Sequence, residues 1–311
     1  MKDKKVIFMG TPEFSVPVLE MLIKETNVIM VVTQPDSYVG RHHELTFSPV
    51  KKVALEHNIE VYQPEKIRKE FDHVVEAKPD IVITCAYGQI IPKEILDAPK
   101  YKCVNVHASL LPKLRGGSPL HRAIMNDYKE TGITIMFMAP GMDDGDIIRQ
   151  ESVKITDEDN VGTIHDKLSV LGSKLLLETL PSIFDGTNER ITQDESEVTF
   201  AYNIKREEEK VDFNKTAREV FNHIRGLYPF PTAYCLINGE ETKILEAYIG
   251  ENDSDFSSST ICDITKESIG ISTKDKIIYI TKIKPFGKKA MLVKDYLNGI
   301  SKDEVQKWVI E

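Results

Sequence analysis

Short continuous apolar runs recur along the first half of the chain, at Val6–Met9, Val28–Val32, Ile81–Thr84 and Cys103–Val106. Runs of that length predict strands buried on both faces. Between them, Val16–Ile23, Val50–Glu56 and Ile90–Leu96 return apolar residues at three- to four-residue spacing, which predicts helices. The alternation predicts an α/β domain in which helices cover a parallel sheet. Ile164, Leu168, Leu171, Leu175 and Leu180 then fall near helical spacing and predict one long amphipathic helix that closes this domain.

From about Thr187 to Glu209 the periodicity fades into polar residues, as in a linker. The expected division is a first domain over 1–188, a linker over 189–208 and a second domain over 209–311. The second opens with a helical stretch, Ala217–Ile224, and the turn-rich Tyr228-Pro229-Phe230-Pro231. Short β-type runs follow at Ala233–Ile237, Thr242–Tyr248, Ile269–Ser272 and Ile277–Ile283, spaced as in a small β-barrel.

With 311 residues, 41% of them hydrophobic and 29% charged, the chain has the composition of a globular protein with room for two cores. Its apolar runs are too short to span a bilayer, so no membrane association is expected. Cys85, Cys103, Cys235 and Cys262 are widely spaced and form no CxxC pair, as expected of reduced, packed thiols in a cytoplasmic protein. The net charge of −9 argues against non-specific nucleic-acid binding. That charge sits mostly in the first 205 residues. A polyanion therefore finds a partner only in a local basic patch of the second half, where Lys282 and Lys284 share one strand face and Lys288 and Lys289 follow closely.

Candidate chemistry gathers after the strand-like Cys103–Val106. Asn105 and His107 lie two apart, so an extended backbone sends both side chains to one face. A carboxylate follows in Met142-Asp143-Asp144-Gly145-Asp146. An amide, an imidazole and a carboxylate together stabilise an oxyanion and move one proton, which suggests acyl-type transfer. A histidine satisfied within a core and ordinary turn acids are the plainer alternatives. Ala86-Tyr87-Gly88-Gln89-Ile90-Ile91-Pro92 also follows a buried strand. Its glycine permits close backbone approach to a ligand, and its apolar residues suit a flat heteroaromatic ring.

Other chemistries lack their patterns. Gly10 after the first strand is not part of G-x-G-x-x-G, so no dinucleotide is expected, and no P-loop is present. No His/Cys cluster has zinc spacing and the acids do not follow a calcium loop, so no metal is expected. Neither Ser109 nor Ser118 lies in G-x-S-x-G.

Taken together, these segments resemble the folate-dependent formyltransferases, and the resemblance runs nearly end to end. Asn105-x-His107, Ser109-Leu110-Leu111-Pro112, Arg115-Gly116 and Asp143-x-Gly145 match that class in general. Phe8-Met9-Gly10-Thr11-Pro12, the loop from Gln34-Pro35-Asp36 to Gly40-Arg41, Ile224-Arg225-Gly226, Pro229-Phe230-Pro231 and Gly287-Lys288-Lys289-x-Met291 resemble the methionyl-tRNA formyltransferase family in particular. The resemblance implies formyl transfer from 10-formyltetrahydrofolate to the α-amine of methionyl-initiator tRNA. It implies catalysis by Asn105, His107 and Asp143, and folate contacts from Tyr87, Gly88, Gln89, Ile90, Ser109, Leu110, Leu111 and Pro112. It further implies tRNA contacts from Arg41 with Lys282, Lys284, Lys288 and Lys289, a Rossmann-like first domain, an OB-like second domain and a cis Leu111–Pro112 bond. Two departures stand out: His42-His43-Glu44 follow Arg41 where basic residues are usual, and Phe230 replaces a usual Trp. Monomer is the expected state, since no coiled-coil pattern occurs.

Overall fold

A computed structural model describes residues 1–39 and 44–311. The chain divides into two compact units. Met1–Pro119, Glu130–Lys154 and His165–Tyr202 form the first; Leu120–Lys129, Ile155–Ile164 and Asn203–Glu311 form the second.

In the first unit the apolar runs become β1 (Lys5–Gly10) and β2 (Asn27–Val32). A short antiparallel pair follows, β3 (Ser37–Val39) with β4 (Glu44–Thr46), and then β5 (Glu60–Tyr62), β6 (Ile81–Cys85) and β7 (Cys103–His107). β8 (Glu130–Phe137) and β9 (Ile147–Lys154) complete one sheet of order β5-β2-β1-β6-β7-β8-β9. β5, β2, β1, β6 and β7 are parallel, whereas β8 and β9 run antiparallel. The predicted parallel sheet is thus present as five strands, extended at one edge by an antiparallel pair. An antiparallel pair needs no crossover helix and tolerates one wet face, which suits the exposed Gln150, Ser152 and Lys154 along one face of the edge strand β9.

Strand order reverses between β1 and β6, so the loops after Gly10 and Cys85 flank a crevice at the carboxyl edge of the sheet. Helices α1 (Val16–Glu25), α2 (Pro49–Glu56), α3 (Asp72–Glu76) and α4 (Lys93–Asp97) connect the parallel strands. α4 begins only after Pro92, because a residue before proline disfavours the helical region. Ile90 and Ile91 consequently stay in the loop after β6 rather than opening a helix.

α5 (Pro119–Met125) and the long α6 (Val161–Asp185) follow, the latter burying Leu168, Leu175 and Leu180 as its spacing predicts. In the first unit α6 is tied to the start of α1, where Ser169 Oγ donates to the Phe14 carbonyl and Ser173 Oγ to the Pro17 carbonyl, each at 2.9 Å. A side chain at Gly172 would meet Val106 Cγ1 at 3.0 Å, so the helix lies close over β7 there. The pattern Cys-Val-Asn-Val-His in β7 therefore splits by face. Val104 and Val106 are buried on the α6 side, each burial being worth about 1.5–3 kcal/mol. Cys103, Asn105 and His107 take the other side, where Cys103 joins a cluster with Ile7, Met9 and Val82.

In the second unit α7 (Ala217–Leu227) starts at a reciprocal capping box formed by Thr216 and Glu219. Its Val220, Ile224 and Leu227 pack against Ile244, Ile271, Ile278, Ile280 and Ile283. These come from an antiparallel sheet of β10 (Ala233–Ile237), β11 (Glu240–Asp253), β12 (Ile261–Ile264), β13 (Ile269–Ser272), β14 (Lys276–Pro285) and β15 (Met291–Leu292). Their path is β10-β11-β14-β13-β12, with β15 beside β14. Short helices α8 (Val293–Tyr296) and α9 (Lys302–Val305) follow. The four cysteines are unbridged, and burial pushes the thiols of Cys85, Cys103 and Cys235 up to about 12.

Candidate active site

Asn105 sits on β7 directly beside Thr84 of β6. The Thr84 hydroxyl donates to Asn105 Oδ1 at 2.8 Å. That bond occupies the amide oxygen and leaves the amide N–H2 as the group Asn105 has to offer. Two residues on, His107 is buried, and its Nε2 lies 3.1 Å from the carbonyl oxygen of Leu114. A carbonyl only accepts, so Nε2 carries the hydrogen and Nδ1 is the nitrogen turned to the site. Leu114 presents that carbonyl from a left-handed backbone, φ 60°.

Asp143 arrives from the loop between β8 and β9. Its Oδ2 stands 3.7 Å from His107 Nδ1 and accepts the Gly116 N–H at 2.9 Å. At 3.7 Å the ring and the carboxylate are not hydrogen-bonded directly, and both can bond a group that stands beside the pair. A proton on Nδ1 converts two facing acceptors into an attraction. Of the three acids in the segment, only Asp143 has this position: Asp146 pairs with Arg190 at 2.8 Å and Asp144 is exposed.

Two glycines make the approach possible. Gly116 has φ 116°, outside the range side-chain-bearing residues favour. At Gly145 a Cβ would lie 1.9 Å from the Phe137 carbonyl oxygen, so nothing larger closes this loop. The motifs Arg115-Gly116 and Asp143-x-Gly145 therefore have one shared physical purpose.

The turn after β7 is built around Thr134, the register partner of His107 on β8. Thr134 Oγ1 donates to the Ser109 carbonyl at 2.6 Å and accepts the Leu111 N–H at 3.1 Å. Gln150 Nε2 donates to the Leu111 carbonyl at 2.8 Å, and Ser109 Oγ to the Lys113 carbonyl at 2.7 Å. The Leu111–Pro112 bond is cis. Ser109 and Leu111 are thus buried in the turn's own framework, with Leu110 half-buried.

In the loop after β6, Tyr87 is buried in the core and Gln89 is committed to the protein. Gln89 Oε1 accepts the Ile67 N–H at 2.9 Å, and its Nε2 donates to Gln34 Oε1 at 3.1 Å. Gln34 Nε2 in turn donates to the Tyr87 carbonyl at 2.9 Å. The loop's outward face is Gly88, φ 89°, and Ile90, which is 58% exposed.

In the second unit, Lys282 and Lys284 flank buried Ile283 on β14 and so share its outer face. Lys282 Nζ pairs with Glu246 at 2.8 Å, while Lys284 is the register partner of Lys243 on β11. Lys288 Nζ stands 5.2 Å from the centre of the Tyr296 ring, and Lys289 is exposed. Arg41, with Gly40, His42 and His43, lies outside the described residues. Among the described residues, no group of three or more His, Cys, Asp or Glu is placed to hold a metal ion, and no helix is long and apolar enough to cross a membrane.

Several residues here escape a reading of the sequence. Thr84 leaves a trace, as a hydroxyl closing an otherwise aliphatic buried strand. Thr134 and Gln150 leave none, since a polar residue in a strand has no distinctive spacing.

Asn105, His107 and Asp143 come to one end of this mixed α/β sheet, and the family models that match the chain give the class, a formyl-group transferase. Residues 4–180 match the Formyl transferase family and residues 203–301 match the Formyl transferase, C-terminal domain family. The methionyl-tRNA formyltransferase of Staphylococcus epidermidis is 51% identical over 306 residues, covering 97% of this chain and 98% of that protein. That of Staphylococcus aureus is 50% identical over 309 residues, covering 98% and 99%. Among solved structures, the fold is shared by an N-formyltransferase of Helicobacter canadensis, described in complex with folinic acid and dTDP-3-aminofucose. It has a TM-score of 0.69 at 23% identity and covers 89% of this chain and 98% of that one. The chain belongs to the formyl transferases and, within them, to the methionyl-tRNA formyltransferase family.

Proposed function

We propose that this chain transfers the formyl group of 10-formyltetrahydrofolate to the α-amine of methionyl-initiator tRNA, for translation initiation, with Asn105, His107 and Asp143 as the catalytic residues. The observation that carries the assignment of residues is the meeting of His107 Nδ1 and Asp143 Oδ2 at 3.7 Å beside an amide whose oxygen is already taken.

The methionine nitrogen attacks the formyl carbon, and negative charge gathers on the formyl oxygen. Asn105 N–H2 and His107 Nδ1–H are the donors for that oxygen. Asp143 accepts the proton that the attacking amine must lose, directly or through a water. The bond from the formyl carbon to folate N10 then breaks, and the same relay returns a proton to that nitrogen. The products are formylmethionyl-tRNA and tetrahydrofolate, so atoms and charge balance without a metal or a redox partner.

The exposed Ile90 and the glycine backbone at Gly88 offer the flat apolar wall that a pterin ring fits. Tyr87 and Gln89 act from behind by shaping that loop, and Ser109-Leu110-Leu111-Pro112 forms the opposite turn. For the acceptor, Lys282, Lys284, Lys288 and Lys289 supply phosphate contacts together with Arg41. Lys284 is exposed beside its register partner Lys243, whose Nζ donates to the Pro231 carbonyl at 3.2 Å, so Lys284 is the better placed of the two for a phosphate. In this reading the first domain carries the chemistry and the second holds the tRNA; the protein works as a cytoplasmic monomer.

The deciding assay supplies 10-formyltetrahydrofolate with methionyl-initiator tRNA, with water alone, or with an amino-sugar or purine-pathway nucleotide. Formyl label on the tRNA ester is expected. Label found only as formate, or on a nucleotide amine, overturns the assignment.

A further inference from the structure

Gln193 lies in the polar stretch that composition marks as a linker, yet it is 6% exposed and belongs to the first unit. Its Nε2 donates to two backbone carbonyls of the loop between β8 and β9, those of Asp143 and Gly145, each at 2.8 Å. Its Oε1 accepts from Arg115 Nε at 3.0 Å and Arg115 Nη2 at 2.9 Å. Both amide hydrogens and both oxygen lone pairs are therefore in use. Arg115 is itself 4% exposed and is completed by Glu195 Oε1 at 2.8 Å. Its neighbour Gly116 supplies the N–H that holds the Asp143 carboxylate.

Asp143 is thus gripped twice from one anchor, through its carboxylate by Gly116 and through its peptide carbonyl by Gln193. Its backbone is left-handed, φ 50°, a conformation that a non-glycine residue keeps only when its surroundings impose it. We propose that Gln193 is a positioning residue for the formyl transfer: backed by Arg115, it holds the Asp143 peptide in the left-handed form that keeps its carboxylate opposite His107 Nδ1. This rests on the reading of Asp143 as the proton acceptor. Gln193 touches no reacting atom and acts only through that carboxylate.

Gln193→Glu separates this from mere structural support. The variant keeps side-chain size and still accepts from Arg115, but it sets acceptor oxygens against the two carbonyls. Expected is a kcat lower by roughly 10- to 100-fold, the scale of a small misplacement of a catalytic group. KM for the formyl donor and for charged tRNA should stay within about twofold. The control is Glu197→Gln, an exposed carboxylate of the same stretch, which should keep wild-type turnover. A double-mutant cycle with Asp143→Asn, read by single-turnover formylation with enzyme in excess, is decisive. On that background Gln193→Glu should change the rate less than twofold.

An equal loss on both backgrounds overturns the proposal, as does a Gln193→Glu enzyme with unchanged kcat. If Gln193→Glu does not fold, Gln193→Met takes its place in the same cycle. If Asp143→Asn alone keeps wild-type kcat, the reading of Asp143 fails first and the positioning role falls with it. A drop in Asp143→Asn with none in the Gln193 variants sinks the positioning role alone.

Discussion

The Thr84 hydroxyl donates to Asn105 Oδ1 at 2.8 Å across adjacent parallel strands, and this one bond decides which end of the amide faces the reaction. An amide free to turn over would present its oxygen half the time and repel the forming oxyanion. Thr84→Val keeps the shape and removes the donor. It should lower kcat about tenfold, short of the 10²–10³ lost when an oxyanion donor is removed outright. Thr84→Ser should restore most of the rate. Steady-state kinetics with charged tRNA reads both, and a Thr84→Val enzyme with full turnover would remove the orienting role.

Asp143→Asn keeps the Gly116 contact through the amide oxygen but cannot take up a proton. Loss of a general base is worth about 10²–10⁴-fold. We expect kcat to fall by that order while the dissociation constant for the formyl donor, measured calorimetrically, moves less than twofold. Near-normal turnover would place the proton acceptor elsewhere.

Charge reversal at Lys284, Lys288 and Lys289 should raise KM for charged tRNA and flatten its dependence on salt, since each lost phosphate contact releases fewer counterions. The log–log slope should shrink by roughly one for each lysine that touches phosphate. Unchanged slopes in all three variants would put the tRNA on another surface.

In the second unit Arg225 is 7% exposed and donates to the Thr156 and Asp159 carbonyls and to Asn222 Oδ1. Arg225→Leu leaves those acceptors buried without a donor. The expected loss of stability is about 2–4 kcal/mol, read from the urea midpoint. A change under about 0.5 kcal/mol would mean that water reaches these carbonyls.

Burial holds His121 and His223 below the usual histidine range, despite the His121 bond to the Phe230 carbonyl. His223 Nε2 has no partner among the described residues. Because the folded state prefers both rings neutral, the unfolded chain binds more protons below about pH 6.5. Stability should therefore be full above that pH and fall as pH drops from 6.5 toward 5. The carboxylates held low by their partners titrate below this window. Urea midpoints at pH 7.5 and 5.5 should differ in that direction, and His223→Gln should shrink the difference; a flat profile would show that neither ring stays neutral.

Much of the fold is local in origin and so was legible in the residue pattern. The runs that become β1, β2, β6 and β7 lie within one or two residues of their predicted limits, because alternation and apolar continuity act between near neighbours. The pairing of Asn105 and His107 on one face follows from strand geometry alone. The antiparallel addition of β8 and β9 was not legible, since strand direction depends on what an edge can accept rather than on the strand's own residues.

The sequence by itself determined that an amide and an imidazole share a face at the end of a buried strand, and that glycines flank an acid further on. The resemblance already pointed to Asp143, but only the tertiary structure set its carboxylate 3.7 Å from His107 Nδ1, turned the Asn105 amide by means of Thr84, and brought Gln193 from a polar stretch to the back of the Asp143 loop. The physical reason is the range of the forces involved. Side-chain periodicity is set by bonds between neighbours, whereas a hydrogen bond across fifty residues exists only once the core has closed and water has left.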